Sequence, residues 1–225
     1  MMTLTGIWLA IPVKRTGDAK QRLAGALPAA LRRELALAML EDVLSAAARA
    51  TGLAGIMLIT ADEAAGALAA RFGARVLAET TPAGQTDAVA AAAKRLAAEG
   101  CTGLLTLPGD IPLVSPAEIT ELVAHHPEGA GFSIVPAHDL RGSNAVLCSP
   151  PGFVPLRFGN DSFYPHLAAA RACGLEPRIE RLPGIALDID KPSDLESFMA
   201  KPSPTRAYAL LARHGITRMA QETNR

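Results

Sequence analysis

The sequence predicts an α/β fold, a three-layer sandwich in which a mixed, mostly parallel sheet lies between two layers of helices. Short apolar runs alternate with helical patterns along the chain, as expected when parallel strands are joined by crossover helices. The apolar runs are continuous, which is typical of strands covered on both faces. Of the 225 residues, 49% are hydrophobic, 4% are aromatic and 44 are alanine. We therefore expect a core of small aliphatic side chains with closely packed helices.

The first half of the chain supplies four predicted strands and the helices between them. The apolar run 6–13 (GIWLAIPV) predicts the first strand, and the basic stretch 14–25 predicts a loop. Pro28 opens a long helix, because leucine, methionine and valine recur every four residues after it. Further strands are predicted at 55–60, 74–77 and 103–107. Helices are predicted at 61–72 and 86–99, and SPAE at 115–118 is typical of a helix start.

The second half is less regular and predicts short strands that extend the sheet, some of them antiparallel. These strands are predicted at 130–135, 145–148, 178–182 and 185–189. Helices are predicted at 162–173, from near 192, and at 205–214, and residues 219–225 are expected to fray. No repeat or low-complexity linker interrupts the chain. We predict one main domain over 1–201, followed by a helical extension and tail over 202–225.

Charge, cysteine content and missing motifs exclude several classes of protein. Lys plus Arg and Asp plus Glu both number 22, which disfavours a general nucleic-acid binder. Cys101, Cys148 and Cys173 are widely spaced without a CxxC, so no disulfide framework or zinc site is predicted, and a cytoplasmic location is expected. Neither a signal peptide nor a membrane span is predicted. The motifs of P-loop ATPases, dinucleotide oxidoreductases, α/β-hydrolases and zincins are missing.

A basic loop directly follows the first predicted strand. Four of its nine residues 14–22 are cations: Lys14, Arg15, Lys20 and Arg22. Ligands of open parallel sheets bind outside the carboxyl ends of the strands, where these cations could hold phosphate groups. A solvated basic turn is the alternative.

Two acidic segments are candidates for a metal site. In LPGDIP, Asp110 follows an apolar strand in a loop stiffened by two prolines, and is interpreted either as a hard oxygen ligand for Mg²⁺ or as an ordinary turn residue. In ALDIDKP, Asp188 and Asp190 would face the same way on a strand, and such close like charges favour a cation between them. They could instead lie at a solvated strand end, or Asp190 could cap the helix near Pro192. We favour metal binding because Asp110 adds a third carboxylate.

Two further segments, DLRGSN and RFGNDS, combine glycine with short polar side chains. They supply four candidate residues: Ser143, Asn144, Gly159 and Ser162. The second segment precedes a predicted helix, whose free N–H groups favour an anion. Ordinary capping by Asn160, Asp161 or Ser162 is the alternative. His166 lies one turn into that helix and is predicted to pack rather than to act in catalysis.

Six segments in order resemble the guanylyltransferases of coenzyme F-420 biosynthesis, the 2-phospho-L-lactate and phosphoenolpyruvate guanylyltransferase family. They are IPVKRTGDAKQRL, LRRELALAMLEDVL, LPGDIPL, RGSNAVL, RFGNDSFYPHLAAARACGL and GIALDIDKPSDL, and they span nearly the whole chain. LPGDIPL alone occurs across many nucleotidyltransferases, whereas all six in order are specific. The resemblance implies a nucleotidyltransferase fold that is Rossmann-like and related to glycosyltransferase-A enzymes.

The resemblance also implies a reaction and its residues. The family joins the guanylyl group of GTP to the phosphate of a small acid (2-phospho-L-lactate, phosphoenolpyruvate or 3-phospho-D-glycerate) and releases pyrophosphate. It implies that Asp110, Asp188 and Asp190 bind Mg²⁺. It also implies that these three residues and Lys20 are catalytic. It implies nucleotide contacts at Pro12, Val13, Lys14, Lys20, Arg22, Gly84, Gln85 and Asp110, with the segment 83–86 near the base. It implies acceptor contacts at Ser143, Asn144, Gly159 and Ser162.

The sequence leaves open the identity of the acceptor acid and several alternative functions. The family often has Thr where this chain has Ser143, and the next position varies between Asn and Thr, so the resemblance does not name the acid. The implied partners are GTP and a small phosphorylated carboxylic acid, without nucleic acid or membrane, and a homodimer is one possible assembly. The alternatives are a cytidylyl- or molybdopterin-type nucleotidyltransferase, a sugar transferase, or a nucleotide-binding regulatory module without catalysis.

Overall fold

A seven-stranded sheet forms the centre of the protein, whose computed structural model describes residues 5–78, 84–159 and 161–216. The strands follow one another across the sheet in the order β3-β2-β1-β4-β6-β5-β7. Their bounds are β1 (Ile7–Val13), β2 (Leu53–Thr60), β3 (Arg75–Ala78), β4 (Gly103–Thr106), β5 (Gly131–Pro136), β6 (Ser143–Ser149) and β7 (Arg178–Ile179).

In the described ranges, eight α-helices connect or flank these strands. They are α1 (Ala29–Ala47), α2 (Glu63–Ala70), α3 (Gln85–Ala98), α4 (Pro116–Ala124), α5 (Phe163–Ala172), α6 (Pro183–Ala186), α7 (Pro192–Met199) and α8 (Arg206–Arg213). The predicted start of α4 is confirmed, because Ser115 and Glu118 form a capping box with Pro116 in the first turn. No helix in the described part of the chain is both long and apolar enough to cross a membrane.

Strand directions confirm a mixed, mostly parallel sheet. β1 is parallel to β2 and β4, β2 is parallel to β3, and β5 is parallel to β7. Of the described strands, only β6 runs against its neighbours, pairing antiparallel with both β4 and β5. The amino end of β6 therefore lies beside the carboxyl end of β4, at the edge where ligands of such sheets bind.

Alternating side chains of β1 divide the core between the two faces of the sheet. Leu9 and Ile11 pack with α1, α2 and α4 on one face, and Trp8 and Ala10 pack with α3 on the other. Helix α5 covers β5 and β6 on the same face as α3. These are the three layers that the sequence predicts. Helices α7 and α8 pack with α1 in a further apolar cluster, and the division of the chain at residue 201 stays a prediction.

Two expectations about the second half need correction. The predicted strand at 185–189 is wrong: residues 183–186 form the short helix α6, because Pro183 has no N–H for a ladder and suits the first turn of a helix. The predicted strand at 178–182 is only two residues long. The basic loop also contains two single turns of 3-10 helix, Thr16–Asp18 and Gln21–Leu23. The expected fraying at 219–225 falls outside the described residues.

Candidate active site

A cleft of about 1360 Å³ opens at the carboxyl ends of β1 and β4. Every predicted site residue lines it: Pro12, Val13, Lys14, Lys20, Arg22, Gly84, Gln85, Asp110, Ser143, Asn144, Gly159, Ser162, Asp188 and Asp190. Segments that are far apart in the chain thus meet at one edge of the sheet. The roles of the individual residues stay predictions that this placement supports.

The acidic centre of the cleft consists of Lys20, Asp110, Asp188 and Asp190. The Lys20 ammonium donates hydrogen bonds to Asp110 and, at 2.8 Å, to Asp190 Oδ1. Only 7% of the Lys20 side chain is exposed, and its backbone adopts the left-handed conformation with φ 56°. Arg22 adds a second cation 3.7 Å from Asp190 Oδ2. The basic loop therefore reaches the acidic segments directly.

Asp188 joins the acidic centre from the other side through Asn144. The Asn144 amide nitrogen lies 3.0 Å from Asp188 Oδ1 and 3.0 Å from the carbonyl oxygens of Ile185 and Ala186. The backbone N–H of Ile189 donates to the carbonyl oxygen of Asp110 at 3.1 Å, which ties the two acidic segments together. The prediction that Asp188 and Asp190 face the same way on one strand is wrong, because neither residue lies on a strand. Both side chains nevertheless line the same cleft.

The protonation of these groups follows from burial and from their neighbours. Burial lowers the pKa of Lys20, but the charges of Asp110 and Asp190 outweigh it, so the pKa of Lys20 is raised. Burial raises the pKa of Asp190, but Lys20 outweighs it and holds the pKa below its ordinary value. Burial and then the charge of Asp110 raise the pKa of Asp188. The surroundings of Asp188 thus favour its protonated form, whereas those of Asp190 favour its charged form.

The acidic centre fits a hard divalent cation in its donor chemistry. Asp110 Oδ1 is buried and has no hydrogen-bond partner among the described residues, and carboxylate oxygens are the ligands that Mg²⁺ prefers. The oxygens of the three aspartates do not all lie within 4.8 Å of one another. In the described ranges, only Glu121, His125 and Glu180 bring three ligand atoms that close. Lys20 separates Asp110 from Asp190 and accounts for this spacing.

Asp62 anchors the basic loop and is a residue that the sequence interpretation missed. One of its oxygens accepts the backbone N–H of Thr16 at 2.8 Å and the Thr16 hydroxyl at 2.6 Å, and the other caps α2 through Ala65. Burial raises the pKa of Asp62, but these hydrogen bonds outweigh it, so the pKa lies below its ordinary value. The signal that could have revealed it is an aspartate directly between a strand and a helix.

Two further acids hold the acidic segments in place. Asp194 Oδ2 accepts the backbone N–H groups of Asp190 at 3.0 Å and Lys191 at 2.8 Å. Lys191, not Asp190, is the N-cap of α7, so the alternative that Asp190 caps this helix is wrong. Glu118 accepts the backbone N–H of Gly184 at 2.6 Å and so fixes α6 just before Asp188.

The serine end of the cleft consists of Ser143, Gly159 and Ser162. The backbone N–H of Ser143 donates to Ser162 Oγ at 3.0 Å, and the two hydroxyl oxygens lie 3.3 Å apart. Ser162 is the N-cap residue of α5, but its side chain makes no capping bond. Asp161 instead pairs with Arg141 at 2.7 Å, and Asn160 lies outside the described residues. Capping therefore does not account for Ser162 or Asp161, and for Asn160 this alternative stays untested.

The first turn of α3 forms the remaining wall. Gly84 is the N-cap of α3 with φ 96° and ψ 171°, a backbone conformation that favours glycine. Gln85 begins the helix beside it, and both residues line the cleft. Free N–H groups at a helix start suit an anion or a polar base edge. Ala83, the first residue of the predicted base loop, lies outside the described residues.

Taken together, the cleft can hold a polyanion and a second, smaller anion next to it. Cations of the basic loop face three carboxylates, and hydroxyl groups line the opposite wall. Such a site suits transfer between two phosphate-bearing molecules, where catalysis consists mainly of positioning and charge stabilisation.

Solved structures with the same fold are nucleotidyltransferases and related enzymes. One assigned to nucleotide-diphospho-sugar transferases, from Desulfovibrio desulfuricans G20, superposes with a TM-score of 0.75 at 18% identity, covering 96% of both chains. The 4-diphosphocytidyl-2C-methyl-D-erythritol synthase of Anaerococcus prevotii has a TM-score of 0.59 at 12% identity, covering 93% of this chain and 97% of that one. At these identities the similarity shows the fold alone.

Relatives with higher sequence identity show to which family the chain belongs. A phosphoenolpyruvate guanylyltransferase of Conexibacter woesei is 36% identical over 215 residues, which is 95% of this chain and 96% of that protein. The protein of the same name from Mycobacterium leprae is 37% identical over 195 residues, which is 84% of this chain and 86% of that protein. The family model described as "Guanylyl transferase CofC like" matches residues 7–225. The chain therefore belongs to the CofC-like guanylyl transferases, a family of nucleotidyltransferase enzymes.

Proposed function

We propose that this protein transfers the guanylyl group of GTP to the phosphate of phosphoenolpyruvate and releases pyrophosphate. The observation that carries the proposal is the acidic centre, where Lys20 lies between Asp110 and Asp190 and faces the serine end across one cleft. The names of the sequence relatives support the choice of donor and acceptor. 2-Phospho-L-lactate and 3-phospho-D-glycerate are the rival acceptors.

The reaction needs little acid–base chemistry from the protein. A phosphate monoester has a second pKa near 6, so the acceptor is mostly a dianion at neutral pH. Its approach to a nucleoside triphosphate is opposed by charge repulsion, which cations must cancel. Lys14, Lys20 and Arg22 supply positive charge where the departing pyrophosphate would lie. The Ser143 hydroxyl and the backbone N–H groups of Gly159 and Ser162 would hold the acceptor phosphate in line with the α-phosphorus.

Asp110, Asp188 and Asp190 would hold Mg²⁺ for this reaction. When bound, the ion supplies charge neutralisation at the acceptor and α-phosphate oxygens. Asn144 orients Asp188, and Asp194 orients the backbone of Asp190. Lys20 lies between Asp110 and Asp190 and offsets the repulsion between these two carboxylates. We further infer a cytoplasmic enzyme of coenzyme F-420 biosynthesis, from the resemblance of its motifs, and a homodimer stays a prediction.

A competition assay tests the proposed function. The protein is incubated with GTP, Mg²⁺ and equal amounts of the three acids, and the products are identified by mass spectrometry. We expect the guanylylated phosphoenolpyruvate and pyrophosphate, with ATP, CTP and UTP as poor donors and no product when Mg²⁺ is chelated. A different acid or nucleotide in the product would contradict the assignment of substrate. Thermal stabilisation by GTP without product from any acid would favour a regulatory nucleotide-binding protein.

A further inference from the structure

His166 lies directly behind the serine end, in the first turn of α5. Only 1% of the residue is exposed, and its ring packs edge-on against Phe158 with the ring centroids 5.1 Å apart. Both ring nitrogens have partners: Nδ1 is 3.0 Å from Ser143 Oγ, and Nε2 is 3.0 Å from the backbone N of Arg157. The ring thus connects β6 with the segment that leads to Gly159.

These two contacts determine which nitrogen carries the proton. A backbone N–H can only donate, so Nε2 of His166 must accept from Arg157. In the neutral ring the proton is then on Nδ1, which donates to Ser143 Oγ. Burial lowers the pKa of His166 to about 4, which keeps the ring neutral at physiological pH. In the described part of the chain, no charged group adds to this shift of the His166 pKa.

The hydrogen bonds also direct the hydroxyl of Ser143. Its oxygen accepts from Nδ1–H of His166 and from the hydroxyl of Ser162 at 3.3 Å. Both lone pairs of the Ser143 oxygen are then occupied, so its O–H remains to donate a hydrogen bond. Ser143 lines the cleft, so this donor is available to an anion at the serine end.

We propose that His166 is a positioning residue for the acceptor: its Nδ1–H orients the Ser143 hydroxyl as a donor into the cleft, while its Nε2 holds residues 157–159 against the same pocket. Because the serine end is assigned to the acceptor only by the proposed function, this role rests on that function. The acceptor recognised in this way is a small anion with a phosphate group.

Steady-state kinetics of two variants test this role. His166→Phe keeps a ring against Phe158 but loses both hydrogen bonds. We expect the KM for phosphoenolpyruvate to rise about tenfold, because a tenfold change corresponds to the loss of one hydrogen bond to a charged group. The KM for GTP should stay within about twofold of the wild type. His166→Gln keeps one donor and one acceptor, so its KM for phosphoenolpyruvate should stay within about threefold. Equal impairment of both variants, or a parallel rise in both KM values, would overturn the proposal.

His126 offers a matched control. It is half-buried, and its ring nitrogens are 2.8 and 3.0 Å from the hydroxyls of Ser133 and Ser149, away from the cleft. His126→Phe should lose thermal stability as His166→Phe does, yet keep the wild-type KM for phosphoenolpyruvate. If it raises that KM to the same extent, the effect of His166→Phe is only structural and the proposal fails.

Nitrogen NMR of the wild type tests the tautomer without any variant. With ¹⁵N-labelled histidine, His166 should show a protonated Nδ1 and an unprotonated Nε2 at pH 7, whereas a protonated Nε2 would contradict the proposal. The proposed function fails separately, when the wild-type protein makes no guanylylated product at all. An active wild type with unchanged kinetics in His166→Phe would refute only the role of His166.

Discussion

Asp42 is buried and Asp188 is half-buried, and burial is the largest influence that raises the pKa of each, yet their other neighbours differ. Asp42, on α1, accepts the backbone N–H groups of Arg206 and Ala207 at 2.9 and 3.0 Å, and these bonds oppose the effect of burial. For Asp188, the next influence is the charge of Asp110, which raises its pKa further. The first carboxylate accepts two N–H groups at the start of a helix, whereas the second faces a like charge and has one amide donor, Asn144, against it.

This difference separates an acid that stabilises the fold from acids arranged for a ligand. The N–H groups at the start of α8 satisfy Asp42, so its charge contributes to the packing of α8 on α1. The acidic centre leaves Asp110 Oδ1 without a partner in the described part of the chain and places like charges together. Lys20 offsets the repulsion between Asp110 and Asp190, and a further cation would offset the repulsion between Asp110 and Asp188.

The largest expected effect comes from Asp188→Ala. Removing this carboxylate should lower kcat/KM for guanylyl transfer by about a thousandfold, since both a metal ligand and charge stabilisation in the transition state are lost. The melting temperature should not fall, because repulsion with Asp110 is relieved. Turnover of purified protein and a thermal melt measure both, with Glu128→Ala, an exposed acid outside the cleft, as control. Near-normal turnover would show that Asp188 is as structural as Asp42.

Asp42→Ala should show the opposite pattern. Two buried N–H groups of α8 lose their acceptor, so the free energy of unfolding should fall by about 3 kcal/mol. Urea denaturation at pH 7 measures this loss, and Asp42→Asn, which keeps one acceptor oxygen, should lose less. Kinetic constants of the folded protein should stay within about twofold of the wild type. A selective loss of GTP or acceptor binding would remove the distinction between the two acids.

Lys20→Met should have the smallest effect of the three. Methionine keeps the buried apolar stem and removes the ammonium, so the KM for GTP should rise about tenfold while the KM for the acceptor changes less. Lys94→Met, at an exposed position on α3, is the matched control. If GTP kinetics were unchanged in Lys20→Met, the interpretation of the basic loop as a phosphate-binding segment would be wrong.

Much of the site could be predicted because its signals are local. Asp110 and the basic loop each follow an apolar strand, and chains of this class place such loops at one edge of the sheet. The short helix α6 was not predicted, since the run 185–189, which is apolar except for Asp188, suits a strand or a helix equally, and the helical signal of Pro183 lies outside that run. Asp62 and His166 were missed as positioning residues because their partners are distant in sequence: Thr16 precedes Asp62 by 46 residues, and Ser143 precedes His166 by 23.

The sequence by itself determined most strands and all the long helices, the layered α/β class and the set of polar segments that line the cleft, because periodicity, caps and short motifs are encoded in neighbouring residues. Only the tertiary structure decided that β6 runs antiparallel, which brings Ser143 and Asn144 to the carboxyl end of β4. It alone placed Lys20 against Asp190, 170 residues further along the chain. Such pairs depend on how the layers pack, and packing is a property of the whole fold rather than of any segment.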